Sequence, residues 1–452
     1  MGDMKKSKNK IDMTHGALWN KILLFALPLA ASSILQQLFN SVDTAVVGRF
    51  ASSRALAAVG STSSFISLMI NLFIGISLGS NIVIAHYIGQ KVEKNIQAAI
   101  HTAITVALIG GCFVMILGQF IGRPVLILMG TPEDVIDLAV QYLRIYFLGM
   151  PFILLYDFGS SILRSTGDSR RPLYSLIVAG ILNTVLNLIL VIVFQMGVAG
   201  VAIATVVSNI VSSGIVMWIL MRESEPVRFT LRKLTINGKE LWKILSIGVP
   251  AGLQGMVFSL ANVCIQSTIN SFGSNAVAGS AAALNYEFFA YFIVNAFAQT
   301  TVTFTSQNYG AGEYDRCRKI FRINMAFSMV FCGLLSAVFV LGRSFFLGLY
   351  TTDDSVLEYA TTRLVIATTL EMLTSAYEIS GGAMRGLGHS LQPALITVFG
   401  SCVLRLIWIS TACVAVHEFW VLIIIYPISW VVTGIIMIVS YLRLRKKMLI
   451  KN

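Results

Sequence analysis

Five carboxylates lie inside long apolar runs of this 452-residue chain: Asp43, Asp157, Glu287, Glu371 and Glu378. A charged group at the centre of a membrane helix costs about 2.5–3.5 kcal/mol on insertion scales, so each one invites a functional account. Gln36, Asn40 and Asp43 stand at i, i+4 and i+7, on one helical face. A carboxylate beside amide oxygens suits a hard cation such as Na⁺, and a carboxylate alone can carry a proton. The plainer account has Asp43 reach the outer interface and pair with Arg49. Asn183 and Asn187 are four apart on one face. They could add amide oxygens to the same cation, or simply bond between helices, which contributes about 0.6 kcal/mol.

A second group of residues points to organic substrates. Glu287 is followed by Tyr291 at i+4 and Asn295 at i+8, among Phe288, Phe289, Phe292 and Phe297. A carboxylate among aromatic faces attracts organic cations through charge and cation–π contact. The alternative turns these rings to lipid. Glu371 is followed by Ser375 at i+4 and Glu378 at i+7, and the two acids join the substrate-contact set. Arg405 reads as the lone deep cation, with Glu371 or Glu378 as its expected partner. Asp157 and Glu378 each precede a loop arginine, Arg164 or Arg385, by seven residues. That placement suits a gate or a brace for the arginine loop, and it also admits a contact to substrate or proton from the cytoplasm.

These side chains need elements that cross a bilayer. The chain is 56% hydrophobic and 12% charged, with a mean hydropathy of +0.79; a soluble domain runs near a quarter charged. About 20 apolar helical residues cross the ~30 Å hydrocarbon core. Runs of that length fill most of the sequence, where a β-barrel would show short alternating segments. The expectation is an all-α integral membrane protein of twelve transmembrane helices, with approximate limits 19–47, 57–85, 98–122, 136–160, 172–195, 198–220, 244–270, 277–305, 320–343, 357–380, 392–414 and 420–441. Pro28, Pro151, Pro250 and Pro427 fall inside spans, as bend points or static kinks. Pairs such as Gly75–Gly79 and Gly118–Gly122 allow close helix packing.

The net charge is +12. Lys and Arg gather in the tails and in the loops after even-numbered spans, which places both termini in the cytoplasm. No continuous basic face is offered to nucleic acid. The six cysteines and five histidines have no disulfide or metal-ligand spacing. The basic start of the chain lacks the apolar stretch and cleavage site of a signal peptide. Lys6 stands where N-myristoylation needs Ser or Thr. No nucleotide-hydrolysis motif or Ser/His/Asp constellation is present, so the reading is not an enzyme, needs no cofactor, and draws energy from an ion gradient.

The chain repeats itself. "RSTGDSRRP" at 164–172 and "RGLGHSLQP" at 385–393 share Arg, Gly, Ser and Pro at an offset of 221 residues. At the same offset Gly89 meets Gly310 and Val135 meets Val356, while Pro28 meets Pro250 with a slip of one. The organisation expected is an N-terminal six-helix half (1–221), a cytoplasmic linker (222–243) and a C-terminal six-helix half (244–452). Six spans is an even number, so the two bundles should be related by a pseudo-twofold axis along the membrane normal. Gly167 and Gly388 would make the turns, Pro172 and Pro393 would start the next helices, and Arg164 and Arg385 would hold the loops at the cytoplasmic surface.

The stretches "VDTAVVGRF" (42–50), "HYIGQK" (86–91), "LRSTGDSRRP" (163–172), "SQNYGAG" (306–312) and "MRGLGHSLQP" (384–393) resemble those of the multidrug and toxic compound extrusion (MATE) transporters. The resemblance covers essentially the whole chain. It implies two six-helix bundles in a prokaryotic inner membrane and export of amphipathic, often cationic, compounds against inward Na⁺ or H⁺ flow. It implies that Asp43 is the cation site of the first half. The proton-coupled branch of that family carries an Asp in span five; Asn187 stands at the equivalent position here and does not titrate, which puts a two-carboxylate proton site in doubt. The expected partners are small amphipathic molecules and membrane lipids, with the protein monomeric. A lipid-linked sugar flippase of the same superfamily is the alternative, and the scarcity of deep Lys and Arg counts against it.

Overall fold

A computed structural model describes residues 10–450. Lys5, Lys6 and Lys8 of the basic N-terminus lie outside these residues. Every regular element among the described residues is helical. The first half comprises α1 (Leu18–Phe50), α2 (Ser53–Gln90), α3 (Glu93–Leu128), α4 (Glu133–Leu148), α5 (Met150–Ser165), α6 (Arg170–Asn187) and α7 (Gly197–Arg222). The second half begins with α8 (Gly238–Asn270), α9 (Ser274–Gly310) and α10 (Tyr314–Leu341). It continues through α11 (Arg343–Gly348), α12 (Asp354–Arg363), α13 (Thr374–Gly386), α14 (Leu391–Thr397), α15 (Leu404–Ala415), α16 (Phe419–Ile423) and α17 (Ile425–Ile450).

Ten of the described helical segments are long and apolar enough to cross a membrane. Helices α4 and α5 meet at 48° and form an eleventh span. Pro151 is the second residue of α5; its missing N–H and its ring, which crowds the carbonyl four residues back, account for the bend. The remaining expected span, 357–380, is broken rather than absent. It runs through α12, a π-helical turn (Leu364–Thr368), a 3-10 turn (Glu371–Leu373) and α13. Large apolar side chains such as Phe120 and Leu341 are 77% and 83% exposed, surface that lipid rather than water must cover.

The chain divides into two compact units. The first holds residues 10–12 and Leu27–Gly252; the second holds Met13–Ala26 and the chain from Leu253 on. The dividing points in α1 and α8 fall beside Pro28 and Pro250. Within the first unit, Gly75 and Gly79 of α2 lie against Gly248 and Gly252 of α8. A Cβ on Gly75 would sit 2.1 Å from the Gly252 nitrogen, so only glycine allows this approach. Gly118 and Gly122 of α3 make room for Phe147 and Leu143 of α4 in the same way.

The repeated loops turn as their glycines require, with φ of +92° at Gly167 and +88° at Gly388. Their surroundings differ. The Gly167 carbonyl accepts the Ile11 N–H at 3.1 Å, and a Cβ on Gly167 would come within 2.3 Å of the Ile11 oxygen. Asp168 accepts the backbone N–H groups of Arg170 and Arg171, each at 3.1 Å, and pairs with the Arg171 guanidinium. Arg171 also reaches Glu223 at 2.5 Å, as does Lys10. Burial alone would push the Glu223 carboxyl up, but these two cations outweigh it and hold the group below its ordinary value. The linker packs on the same unit: Thr230 N–H donates to His101 at 3.3 Å, Asn237 N–H donates to Thr102 at 3.1 Å, and the Tyr87 hydroxyl donates to Glu240 at 2.7 Å.

In the second unit, Asn308 Nδ2 donates to the Met13 carbonyl at 3.0 Å. Arg316 joins this contact, reaching Asn308 Oδ1 at 3.0 Å, Met13 O at 3.2 Å and Gly16 O at 3.1 Å. Arg385 is turned inward rather than held at the surface: it is 8% exposed and donates to Gln254 of α8 at 2.7 Å.

Two outcomes follow from this packing. Gly388→Ala meets only the left-handed backbone penalty, about 1–2 kcal/mol. Gly167→Ala meets that penalty and the Ile11 backbone as well, so its thermal midpoint in detergent should fall several degrees further. Glu223→Gln should cost about 2 kcal/mol at neutral pH, the scale of hydrogen bonds to a charged group. The contribution of Glu223 is complete above its ordinary value of 4.5 and fades as pH falls through its lower folded value. Melting curves of wild type and variant should therefore converge on acidification and separate at pH 7.

Candidate functional site

In the first unit, α1 and α6 bring Asp43 to Asn187. The Asn187 amide donates to the Asp43 carboxylate and, at 3.2 Å, to Asn183 Oδ1. Asn187 is fully buried and Asn183 nearly so. The hydrogen-bond partner of Asp43 is thus Asn187 and not Arg49. Helix α6 ends at Asn187, and a π-helical turn, Leu188–Val193, follows directly. Such insertions recur at functional positions because they redirect side chains at the register change. Asn187 Oδ1 is buried without a hydrogen-bond partner, an acceptor held ready for a donor or a cation. Gln36 and Asn40, expected on the same polar stripe, are exposed, and among the described residues no hydrogen bond joins their side chains to this cluster.

The second unit holds a cavity of about 220 Å³. Glu287 and Tyr291 of α9, Glu371 and Arg405 line it, as expected residues brought together. Arg363 lines it too, a residue outside the set expected from the sequence. Arg363 is 2% exposed; its Nε and Nη2 donate to the two Glu287 oxygens at 2.7 and 2.9 Å, and Nη1 donates to Ser280 at 2.6 Å. This bidentate pair takes up the charge that Glu287 was expected to offer an organic cation. Arg363 closes α12 at its junction with the π-helical turn, the same kind of position that Asn187 occupies.

Arg405 is therefore not the lone deep cation. It is 1% exposed and donates from Nε to Ser429 at 3.0 Å. Its guanidinium lies 4.6 Å from the Tyr426 ring centre and 5.4 Å from that of Phe258. The expected ion pair with Glu371 or Glu378 is not formed; the Ser429 hydroxyl and the two rings hold the group instead. The Glu378 carboxylate accepts the Tyr291 hydroxyl at 3.0 Å. Glu371, 4% exposed, faces the cavity. Asn295 accepts from Gln299 at 2.5 Å and does not line the cavity. Asp157 is half-buried on α5, two turns before Arg164. A signal for Arg363 was present: it sits well inside the 357–380 run, where a charge is costly.

Two helical units on one repeated plan, each with carboxylates set inside its apolar spans, define a polytopic membrane carrier. The MatE family model matches the chain twice, over residues 28–189 and 250–409. The chain belongs to this family, the MATE transporters. Among its relatives is a protein of Bacillus subtilis (strain 168) named "Probable multidrug resistance protein YoeA", 32% identical over 402 residues, covering 87% of this chain and 85% of the relative. The "Probable multidrug resistance protein NorM" of Thermotoga maritima is 26% identical over 399 residues, covering 85% and 84%. A solved outward-facing structure of a multidrug resistance MATE transporter of the MOP superfamily superposes with a TM-score of 0.91 at 23% identity, covering 99% of this chain and all of the other.

The Glu287–Arg363 pair carries its own test. Removing one partner of a buried ion pair strands the other, at about 3–5 kcal/mol. Glu287→Gln and Arg363→Gln should each lower the thermal midpoint strongly, and the double variant should lose clearly less than the two losses added, as a double-mutant cycle of melts will read.

Proposed function

We propose that the protein is a secondary-active multidrug antiporter that exports amphipathic compounds, organic cations among them, by alternating access in exchange for Na⁺ or H⁺. Membership of the MatE family and the names of the relatives support export of this kind. The observation that carries the coupling half is the Asp43–Asn187–Asn183 cluster in the first unit. Asp43 supplies the charge that a cation or a proton neutralises. The unpartnered Asn187 Oδ1 fits a hard cation, which takes oxygen ligands, better than a proton relay. With amides in place of a second acid, any proton would be carried by Asp43 alone. Of the two acids that line the second-unit cavity, Glu287 is held by Arg363, so Glu371 is assigned the contact to cationic solutes.

The reading places the protein in the inner membrane of a prokaryote, with both termini cytoplasmic. The Lys and Arg bias of the loops supports that orientation. The protein works as a monomer surrounded by lipid.

Efflux of ethidium from proteoliposomes, driven separately by a Na⁺ gradient and by a pH gradient, tests the proposal. One gradient should drive efflux, with Na⁺ the expected one. Asp43→Asn should cut the driven rate at least tenfold while leaving the folded fraction unchanged. Efflux under neither gradient, or a wild-type rate from Asp43→Asn, would remove the proposed mechanism.

A further inference from the structure

We infer that the cavity of the second unit contains a seat for an anionic group, the carboxylate of a small aromatic acid, at Arg405. This deepens the export reading above and rests on it for biological use. Arg405 carries five N–H donors. Nε is bonded to Ser429, whose own hydroxyl donates to the Tyr426 carbonyl at 2.7 Å. Arg405 lines the cavity, and Nε–Ser429 is the hydrogen bond its guanidinium makes among the described residues. An arginine that is 1% exposed and spends one of its five N–H donors on the protein presents a fork that an anionic group can bind.

Its surroundings select the shape of the group it can bind. The rings of Tyr426 and Phe258 interact with the guanidinium through their π-faces. A carboxylate binds instead along the edge of the fork, in the guanidinium plane, so both kinds of partner can be present at once. Glu371 lies within electrostatic reach of Arg405, but no neighbouring carboxylate hydrogen-bonds to it among the described residues. Glu287 is held on both oxygens by Arg363, and Glu378 is bonded to Tyr291. Glu371 lines the same cavity yet makes no ion pair with Arg405.

Size narrows the class further. The cavity measures about 220 Å³, below the roughly 300–1,000 Å³ of sites that enclose drug-sized ligands. It suits a one- or two-ring acid, or the acid end of a longer amphiphile. Phe288 and Trp430 supply aromatic surface for the body, and Asn262 and Gln266 supply neutral polar contacts. A solute carrying both an acid and an amine would find Arg405 and Glu371 in one chamber.

Calorimetric titration of the purified protein in detergent with 1-naphthoate, neutral 1-naphthamide and 1-naphthylmethylammonium tests the seat. Naphthoate should bind at least tenfold more tightly than the amide, the scale of a charge-assisted hydrogen bond. Arg405→Gln should abolish that preference, and Arg405→Lys should keep part of it. Equal binding of acid and amide, no naphthoate binding, or an unchanged preference in Arg405→Gln would overturn the inference; the last outcome would mean that micelle or surface charge holds the acid. If Arg405→Gln does not fold, the acid-to-amide comparison on wild type and the Arg405→Lys result decide. Ethidium efflux that runs while naphthoate fails to bind would sink the seat and leave export standing. Arg405-dependent binding without gradient-driven efflux would do the reverse.

Discussion

A carboxylate and a guanidinium joined inside an apolar helix bundle constrain everything near them. Neither Glu287 nor Arg363 can be left alone at that depth, because an unpaired ion in low dielectric costs several kcal/mol. The pair therefore ties α9 to α12 through two hydrogen bonds of fixed geometry, with Ser280 as a third point. The chain leaves ordinary α-helical winding immediately after Arg363, and a second such turn (Val398–Val403) ends two residues before Arg405. Helical register has been adjusted beside the arginines, at the places where side-chain direction matters most. The cavity is the space left beside this fixed core, and its electrostatics follow from which charges the core has already neutralised.

The opposite constraint acts at the loops, where backbone groups must find partners as helices begin and end. The motif "HYIGQK" contributes Tyr87 and the motif "SQNYGAG" contributes Asn308, which is 221 positions later. Tyr87 bonds to Glu240, just ahead of the membrane part of α8, and Asn308 bonds to Met13, just ahead of α1. Each copy of the motif thus holds the segment leading into a proline-containing first helix of a half. The duplication has kept the position and the task while changing the side chain, a hydroxyl to a carboxylate in one case and an amide to a carbonyl in the other.

Much of this was legible because it depends on periodicity and local sterics. Apolar runs place the spans, and Gly167 and Gly388 turn where the repeat puts them. That Asp43 sits on one polar helical face and Asn183 with Asn187 on another was readable; that Asn187 meets Asp43 was not. The rest depends on distance in space. Gln36 and Asn40 share a helical face with Asp43 in the sequence pattern, yet both are exposed, and the hydrogen bond from α6 goes to Asp43. Arg363 has no counterpart in the repeat, because Tyr142 holds the matching position of the first half. Which acid meets which arginine is set by tertiary packing, and sequence spacing carries no trace of it.

The two halves share a plan and part company in charge. With the one-residue slip seen at Pro28 and Pro250, Asp43 corresponds to Ile265. Ile265 lines the second-unit cavity, so the acid of the first half is replaced there by an apolar wall. The cavity draws its acids from α9 and the 3-10 turn after α12, and its bases from α12 and α15. Asn187 in turn corresponds to Trp408, which donates to the Val421 carbonyl at 2.9 Å and is spent on packing. At both of these matched positions the side-chain chemistry is thus unlike. A duplicated scaffold whose matched positions carry unlike chemistry need not bind one ligand twice. The arrangement is better suited to two different tasks: a single acid with amide oxygens for a small ion, and mixed charge with aromatic walls for an organic solute.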